Sequence, residues 1–192
     1  MKANRKSEER AAKVASVNGG NWIVRNVYWL KSFIRIILGL IWLIDGSLKS
    51  QAGFVDSFPD LIKTAGQPAW LQPWFNFWYN VTIANAAPFV YGIGILEISL
   101  GLALVLGLAR KLAYIGGLIL SLLIWAVPEG FGGPYGPGST DLGTGIVYSF
   151  VFLSLVIINA ISGTSKYSLD YLIERRVPFW KHVAEFGQLT PR

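Results

Sequence analysis

Four apolar stretches, each long enough or nearly long enough to cross a lipid bilayer, constrain what this chain can fold into. They cover residues 27–48, 88–109, 112–127 and 141–161. A transmembrane helix needs about 20 predominantly apolar residues, so the third stretch is short unless it continues towards Glu129. The pattern predicts an all-α integral membrane protein. We expect a bundle of four transmembrane helices, making the protein a multi-pass protein of the cell membrane.

Composition agrees with this prediction. Hydrophobic residues make up 53% of the 192 residues and charged residues only 15%, whereas soluble domains carry about a quarter charged residues. The first stretch is too long for the core of a signal peptide, and no small-x-small cleavage site follows it. We therefore expect it to remain in the protein as a helix.

The distribution of basic residues predicts the orientation. If both termini are cytoplasmic, fifteen of the seventeen Lys and Arg residues lie inside, and only Lys49 and Lys63 lie outside. Positive charge is concentrated on the cytoplasmic side of membrane proteins. Residues 1–26 then form a basic cytoplasmic arm, residues 27–161 the membrane domain and residues 162–192 a cytoplasmic tail. Because the charges flank apolar spans, lipid headgroups are the predicted partner and nucleic acid is not.

Charged residues within a membrane are costly and therefore candidates for function. Three of them lie near the outer side of the first two predicted helices. Glu97 lies in the outer half of the second helix. Asp45 and Lys49 lie one turn apart near the outer end of the first helix, at a similar depth. One hypothesis is a catalytic cluster that moves protons or holds a quinone carbonyl. The alternative is a buried tie that fixes the register of the two helices, without turnover.

The first outer connection, residues 49–87, contains an aromatic run in which Trp70, Trp74 and Trp78 recur at four-residue intervals. In a helix, this spacing places the three indoles on one face. Tryptophan prefers the membrane interface, which favours a helix that anchors the chain on the outer leaflet. The alternatives are a wall for an amphipathic ligand such as quinone, and a docking face for a partner subunit.

The second outer connection, residues 128–140, is rich in glycine and proline, and Ser139, Thr140 and Asp141 lie where it meets the fourth helix. These side chains can cap the fourth helix. The N-terminus of that helix would also offer amide groups to an anionic substrate. A plain loop with a helix cap is the simpler interpretation.

The chain has no cysteine and one histidine, His182. Disulfides, thiolate metal sites and bis-histidine haem within the chain are therefore excluded. We predict no metal site and no covalently bound cofactor, and we consider quinone the candidate bound molecule.

Three segments resemble one family. Residues 36–49 read Ile36-x-x-Gly39-Leu40-Ile41-x-Leu43-x-x-Gly46-x-x-Lys49, and residues 97–110 read Glu97-Ile98-x-Leu100-Gly101-Leu102-x-Leu104-x-Leu106-Gly107-Leu108-x-Arg110. The third segment is Lys166-Tyr167-Ser168-Leu169-Asp170. These segments resemble the first helix, the second helix and the end of the fourth helix of DoxX/DoxD-like membrane proteins. The long outer connection and the run FGGPYGPG at 131–138 are more similar to the DoxD branch.

The resemblance implies the large, membrane-embedded subunit of a thiosulfate:quinone oxidoreductase. Such a complex couples the oxidation of thiosulfate to tetrathionate, outside the cell, to the reduction of membrane quinone, together with a second small subunit. Other DoxX-like proteins are accessory subunits, so the alternative is a non-catalytic subunit of a larger respiratory or photosynthetic complex. Either function involves other protein subunits as partners. A transporter is disfavoured because four spans without an internal repeat leave little room for alternating access.

Overall fold

The structure, a computed structural model, describes residues 26–63, 68–133 and 141–187, and within these ranges it contains helices and no strands. The predicted arm, residues 1–26, lies outside the described residues except for Asn26. The helices in chain order are α1 (Asn26–Leu48), α2 (Ala52–Lys63), α3 (Gln72–Ala84), α4 (Ala86–Leu106), α5 (Arg110–Ala126), α6 (Thr144–Ser162), α7 (Leu169–Glu174) and α8 (Lys181–Ala184).

Three of these helices, α1, α4 and α6, are long and apolar enough to cross a membrane. Helix α5 covers the third predicted stretch and has 17 residues. At 1.5 Å per residue it is about 26 Å long, a little less than the roughly 30 Å thickness of a hydrocarbon core. Helices thus occupy all four apolar stretches, and the structure is an all-helical protein with at least three candidate membrane spans.

Glycines with positive φ set two of the helix boundaries that differ from the predicted ones. Gly107, with φ of 67°, follows the last residue of α4, Leu106, which lies three residues before the apolar run ends. Gly143, with φ of 89°, precedes the first residue of α6, so that helix begins at Thr144 rather than at Asp141. Left-handed conformations cost glycine little, and they stop a helix without interrupting an apolar sequence.

Helices α1 and α4 run antiparallel, with their backbones in close approach at two glycine pairs. A Cβ placed on Gly101 would lie 2.8 Å from the Gly39 carbonyl oxygen, and a Cβ on Gly46 would lie 2.9 Å from the Gly94 carbonyl oxygen. No side chain fits at either crossing. Small residues that allow such contact are typical of helix interfaces in membranes.

Helices α5 and α6 form a second antiparallel pair, built in the same way. The ring of Phe152 covers Gly117, and a Cβ on Gly145 would lie 2.7 Å from the carbonyl oxygen of Ser121. Buried side chains from both pairs form the central core; they are Leu38, Trp42, Leu100, Leu104, Ala113, Tyr114, Phe152 and Leu155.

The connection between α1 and α4 folds into two helices, α2 and α3, which pack against the main helices. Their buried side chains Val55, Phe58, Ile62 and Phe75 form a second apolar cluster with Val90 of α4 and Val127 after α5. We call this end of the molecule the loop end. The opposite end, where α7 and α8 lie, is the tail end.

At the tail end, buried charges attach the tail to the start of α5. The fully buried Asp170 carboxylate accepts hydrogen bonds from the backbone N–H groups of Ala109 and Arg110, from Arg110 Nε at 2.8 Å, and from Trp180 Nε1 at 2.7 Å. Arg110 also forms an ion pair with Glu174, and burial raises the pKa of the Glu174 carboxyl above its usual value. This network gives the short α7 a fixed position.

Candidate functional site

An apolar cavity lies near the loop end, between the α1–α4 pair and the α5–α6 pair, with α2 and α3 beside it. Its volume is about 520 Å³, within the usual range for sites that bind small molecules. Its walls are mostly apolar and include Phe54, Phe58, Trp78, Phe89, Leu120 and Ile124. Charged groups on its wall come from Asp45, Lys49 and Glu129.

Lys49 connects two carboxylates beside this cavity. Its Nζ lies 2.9 Å from Asp45 Oδ2, one turn earlier on α1, and 2.6 Å from Glu97 Oε2 on α4. The structure therefore brings together the three charged residues that the sequence singles out. Asp45 is 49% exposed, the Lys49 side chain 10% and Glu97 0%. The three groups form a chain of short contacts from the surface to a buried carboxylate.

The glycine crossings place Lys49 against Glu97. A Cβ on Gly46 would lie 3.0 Å from Glu97 Cβ, and a Cβ on Gly94 would lie 3.4 Å from Lys49 Cβ. Because neither glycine has a side chain, α1 and α4 approach closely enough for the ammonium to reach the carboxylate. Glu97 Oε1 accepts no hydrogen bond from any residue that the structure describes, although most buried polar atoms in proteins have a partner.

The three tryptophans of the first outer connection do not share one environment. Trp70 lies in a short 3-10 turn before α3 and is 77% exposed. Trp74 donates a hydrogen bond from Nε1 to the Ala126 carbonyl oxygen at 3.0 Å. Trp78 is partly buried and lines the cavity. Of the three, only Trp70 has the exposed position expected of a membrane anchor. Trp78 has the position expected of a residue in the wall of a ligand site.

The predicted anion site at the start of α6 is described only in part. Ser139 and Thr140 lie outside the described residues. Asp141 Oδ1 accepts a hydrogen bond from Gly143 N at 2.6 Å. The Glu129 carboxylate accepts hydrogen bonds from Thr144 Oγ1 at 2.9 Å and from Gly145 N at 2.8 Å. A carboxylate of the chain itself thus satisfies the first turn of α6, and anion binding there stays a prediction.

Trp42 is a cavity residue that the sequence pattern did not single out. It is 1% exposed and lines the cavity. Its position was open to prediction, because Trp42, Asp45 and Lys49 follow one another at three- and four-residue intervals and therefore share a helix face. Glu129 and Tyr148, which also line the cavity, carry no comparable signal, since they come from segments distant in the chain.

Within 26–63, 68–133 and 141–187, no group of three or more His, Cys, Asp or Glu side chains is arranged to hold a metal ion. His182 lies in α8, and its Nδ1 is 3.1 Å from the Phe179 carbonyl oxygen. The cavity and its charged wall are therefore the candidate functional site.

No family model, curated protein or solved structure matches the chain. The likeness to DoxX/DoxD proteins accordingly rests on the sequence motifs. The geometry of the cavity is the independent basis for a functional assignment.

Proposed function

We propose that this protein is the membrane-embedded subunit of a thiosulfate:quinone oxidoreductase-like complex, and that the cavity near the loop end binds the quinone. The observation that carries the proposal is the cavity itself. It is apolar, large enough for a quinone head group, and has Lys49 on its wall in contact with the buried Glu97. An apolar pocket with a few placed polar groups is what a hydrophobic, carbonyl-bearing substrate requires.

The proposal includes an orientation. With the termini cytoplasmic, fifteen basic residues lie inside and two outside, as positive-inside topology requires. All four long helices then cross the membrane, and the cavity lies in the outer half of the bilayer. Quinone would enter from the lipid, and the thiosulfate-oxidising subunit would bind at the outer surface formed by α2 and α3.

The charged residues would deliver the protons that quinone reduction consumes. Two thiosulfate ions release two electrons when they join through a new S–S bond as tetrathionate. Those electrons, with two protons, convert a quinone to a quinol. Asp45 is exposed, Lys49 contacts both carboxylates, and Glu97 is buried. Asp45 and Lys49 line the cavity and Glu97 lies behind Lys49, so Glu97 would exchange protons with the cavity through Lys49.

The test is thiosulfate-dependent quinone reduction by the purified protein together with its partner subunit. We expect Glu97→Gln to lower kcat at least tenfold while quinone affinity changes little, because the amide is similar in shape and carries no exchangeable acid proton. The matched control is Glu185→Gln, a carboxylate at the tail end that does not line the cavity, which should retain normal turnover. Unchanged turnover in Glu97→Gln would remove that residue from the proton route.

Purification from native membranes distinguishes this proposal from an accessory role. A two-subunit particle that oxidises thiosulfate supports the proposal. Recovery as a stoichiometric part of a haem- or chlorophyll-bearing complex, inactive on thiosulfate, would instead support a non-catalytic subunit.

A further inference from the structure

Two indole N–H groups beside the cavity have no hydrogen-bond acceptor. The Nε1 atoms of Trp42 on α1 and Trp78 on α3 are both buried, and neither donates to any atom in the described part of the chain. Both residues line the cavity, but neither Nε1 atom has surface open to it, so an acceptor reaches these donors only when a neighbouring side chain shifts. Most buried polar atoms in proteins have a partner, and a buried donor without one destabilises the structure by about 1–3 kcal/mol. Two such donors at one cavity therefore require an explanation.

Neighbouring rings hold both indoles in place. The Trp42 ring lies 5.9 Å from that of Tyr148 and 5.8 Å from that of Phe152, measured between centroids. The Trp78 ring lies 5.7 Å from that of Trp74 and 6.3 Å from that of Phe89. Packing of this kind fixes ring orientation, so neither N–H can turn easily towards a distant acceptor.

The two donors come from different parts of the fold. Trp42 lies seven residues before Lys49, which places it about 10 Å further along α1 towards the tail end. Trp78 belongs to the connection that packs against the loop end. A ligand that contacts both tryptophans would extend along the cavity, with Lys49 on the same wall as Trp42.

We infer that the ligand of this cavity carries hydrogen-bond-accepting carbonyl oxygens, and that the indole N–H groups of Trp42 and Trp78 bind them. The inference rests on the proposed function in that quinone is one member of this ligand class. An indole N–H only donates, and a carbonyl oxygen only accepts. A hydrocarbon of the same shape fills the cavity but leaves both donors unpaired, so the site discriminates between the two.

Binding measurements on the full-length protein in lipid nanodiscs test the inference. The probes are decylbenzoquinone, decyl phenyl ketone and decylbenzene, which share an alkyl tail and differ in their carbonyl groups. Trp42→Phe and Trp78→Phe keep an aromatic ring and remove the N–H group. Each should raise the dissociation constant of the quinone by about five- to tenfold, the effect of losing one neutral hydrogen bond. The ketone has a single carbonyl oxygen, so one of the two substitutions should raise its dissociation constant by the same factor and the other should change it little. Decylbenzene binding should change less than about twofold, because its affinity depends on apolar contact alone.

The control is Trp29→Phe, an exposed tryptophan on α1 that does not line the cavity, which should bind all three probes as the unaltered protein does. Equal weakening for decylbenzene and the carbonyl probes in Trp42→Phe and Trp78→Phe would show that the indoles act by packing and overturn the inference. Unchanged binding of the carbonyl probes would overturn it too, as would carbonyl probes that bind the unaltered protein no more tightly than decylbenzene.

The same measurements separate this inference from the proposed function. If the carbonyl probes bind in a tryptophan-dependent way but the complex does not reduce quinone with thiosulfate, the inference stands and the proposed function fails. If thiosulfate-dependent reduction occurs but does not respond to either tryptophan substitution, and the binding constants do not respond either, the proposed function stands and the inference fails.

Discussion

Replacing Lys49 by methionine should destabilise the protein strongly, because it removes the ion partner of a fully buried carboxylate. Glu97 is 0% exposed, and Lys49 Nζ at 2.6 Å is its ion partner. Breaking a buried pair on one side costs about 3–5 kcal/mol, since the remaining charge stays in an apolar environment. Asp45 is 49% exposed, so Asp45→Asn should cost no more than about 1 kcal/mol.

The double variant Lys49→Met/Glu97→Met separates the cost of the unpaired charge from the value of the pair. Replacing both partners of a buried pair by apolar side chains is often neutral, so the double variant should lie within about 1 kcal/mol of the unaltered protein. The assay is reversible unfolding in mixed micelles at pH 7, followed by circular dichroism. A Lys49→Met variant within 1 kcal/mol of the unaltered protein, or a double variant less stable than Lys49→Met, would refute this reasoning.

Two further substitutions test the packing and the tail, with unfolding free energy again as the readout. Gly101→Ala should lower the unfolding free energy by about 1–3 kcal/mol through overpacking, since the added Cβ would lie 2.8 Å from the Gly39 carbonyl oxygen. The control is Gly116→Ala, whose Cβ would have nothing within 4 Å. If both substitutions lowered the unfolding free energy equally, the close crossing of α1 and α4 would be contradicted. Asp170→Asn should lower the unfolding free energy by about 3–5 kcal/mol by breaking the buried ion pair with Arg110, and a cost below about 1 kcal/mol would contradict that role.

The main helices are predictable from local sequence. The apolar stretches in α1, α4 and α6 are long and predominantly apolar, and no other structure satisfies the backbone of such a stretch in lipid as simply as a helix does. The helix ends are less predictable. Gly107 and Gly143 end or delay helices inside apolar runs, and their left-handed conformations depend on the chain's path rather than on the glycines alone.

Helix α2 shows where local signals fail. Residues 52–63 belong to the first outer connection, for which no helix is predicted at these positions, and proline, here Pro59, disfavours the interior of a helix. The structure nevertheless contains Pro59 inside α2. Val55, Phe58 and Ile62 bury their side chains in the cluster with α3 and α4, and this long-range contact outweighs the lost hydrogen bond. Tertiary burial of this kind is not visible in a local pattern.

The candidate site is likewise predictable from the sequence only in part. The one-turn spacing of Asp45 and Lys49 is a local feature, and the shared depth of Glu97 follows from counting residues along two antiparallel helices. The cavity itself depends on where α2 and α3 fold back and on how the two helix pairs separate. Those contacts join Phe54, Leu120 and residues of α6, which are far apart in the chain, so the cavity emerges only from the three-dimensional structure.

Photolabelling with a photoreactive quinone, followed by mass spectrometry of the labelled peptides, tests most directly the claim that this cavity binds quinone. The account predicts labels on cavity residues such as Phe58, Trp78 and Ile124, and loss of these labels when unlabelled quinone is added in excess. Labels confined to the exposed apolar face of α1, for example at Leu40 and Ile44, and insensitive to competing quinone, would show partition into surrounding lipid or detergent and would contradict the claim.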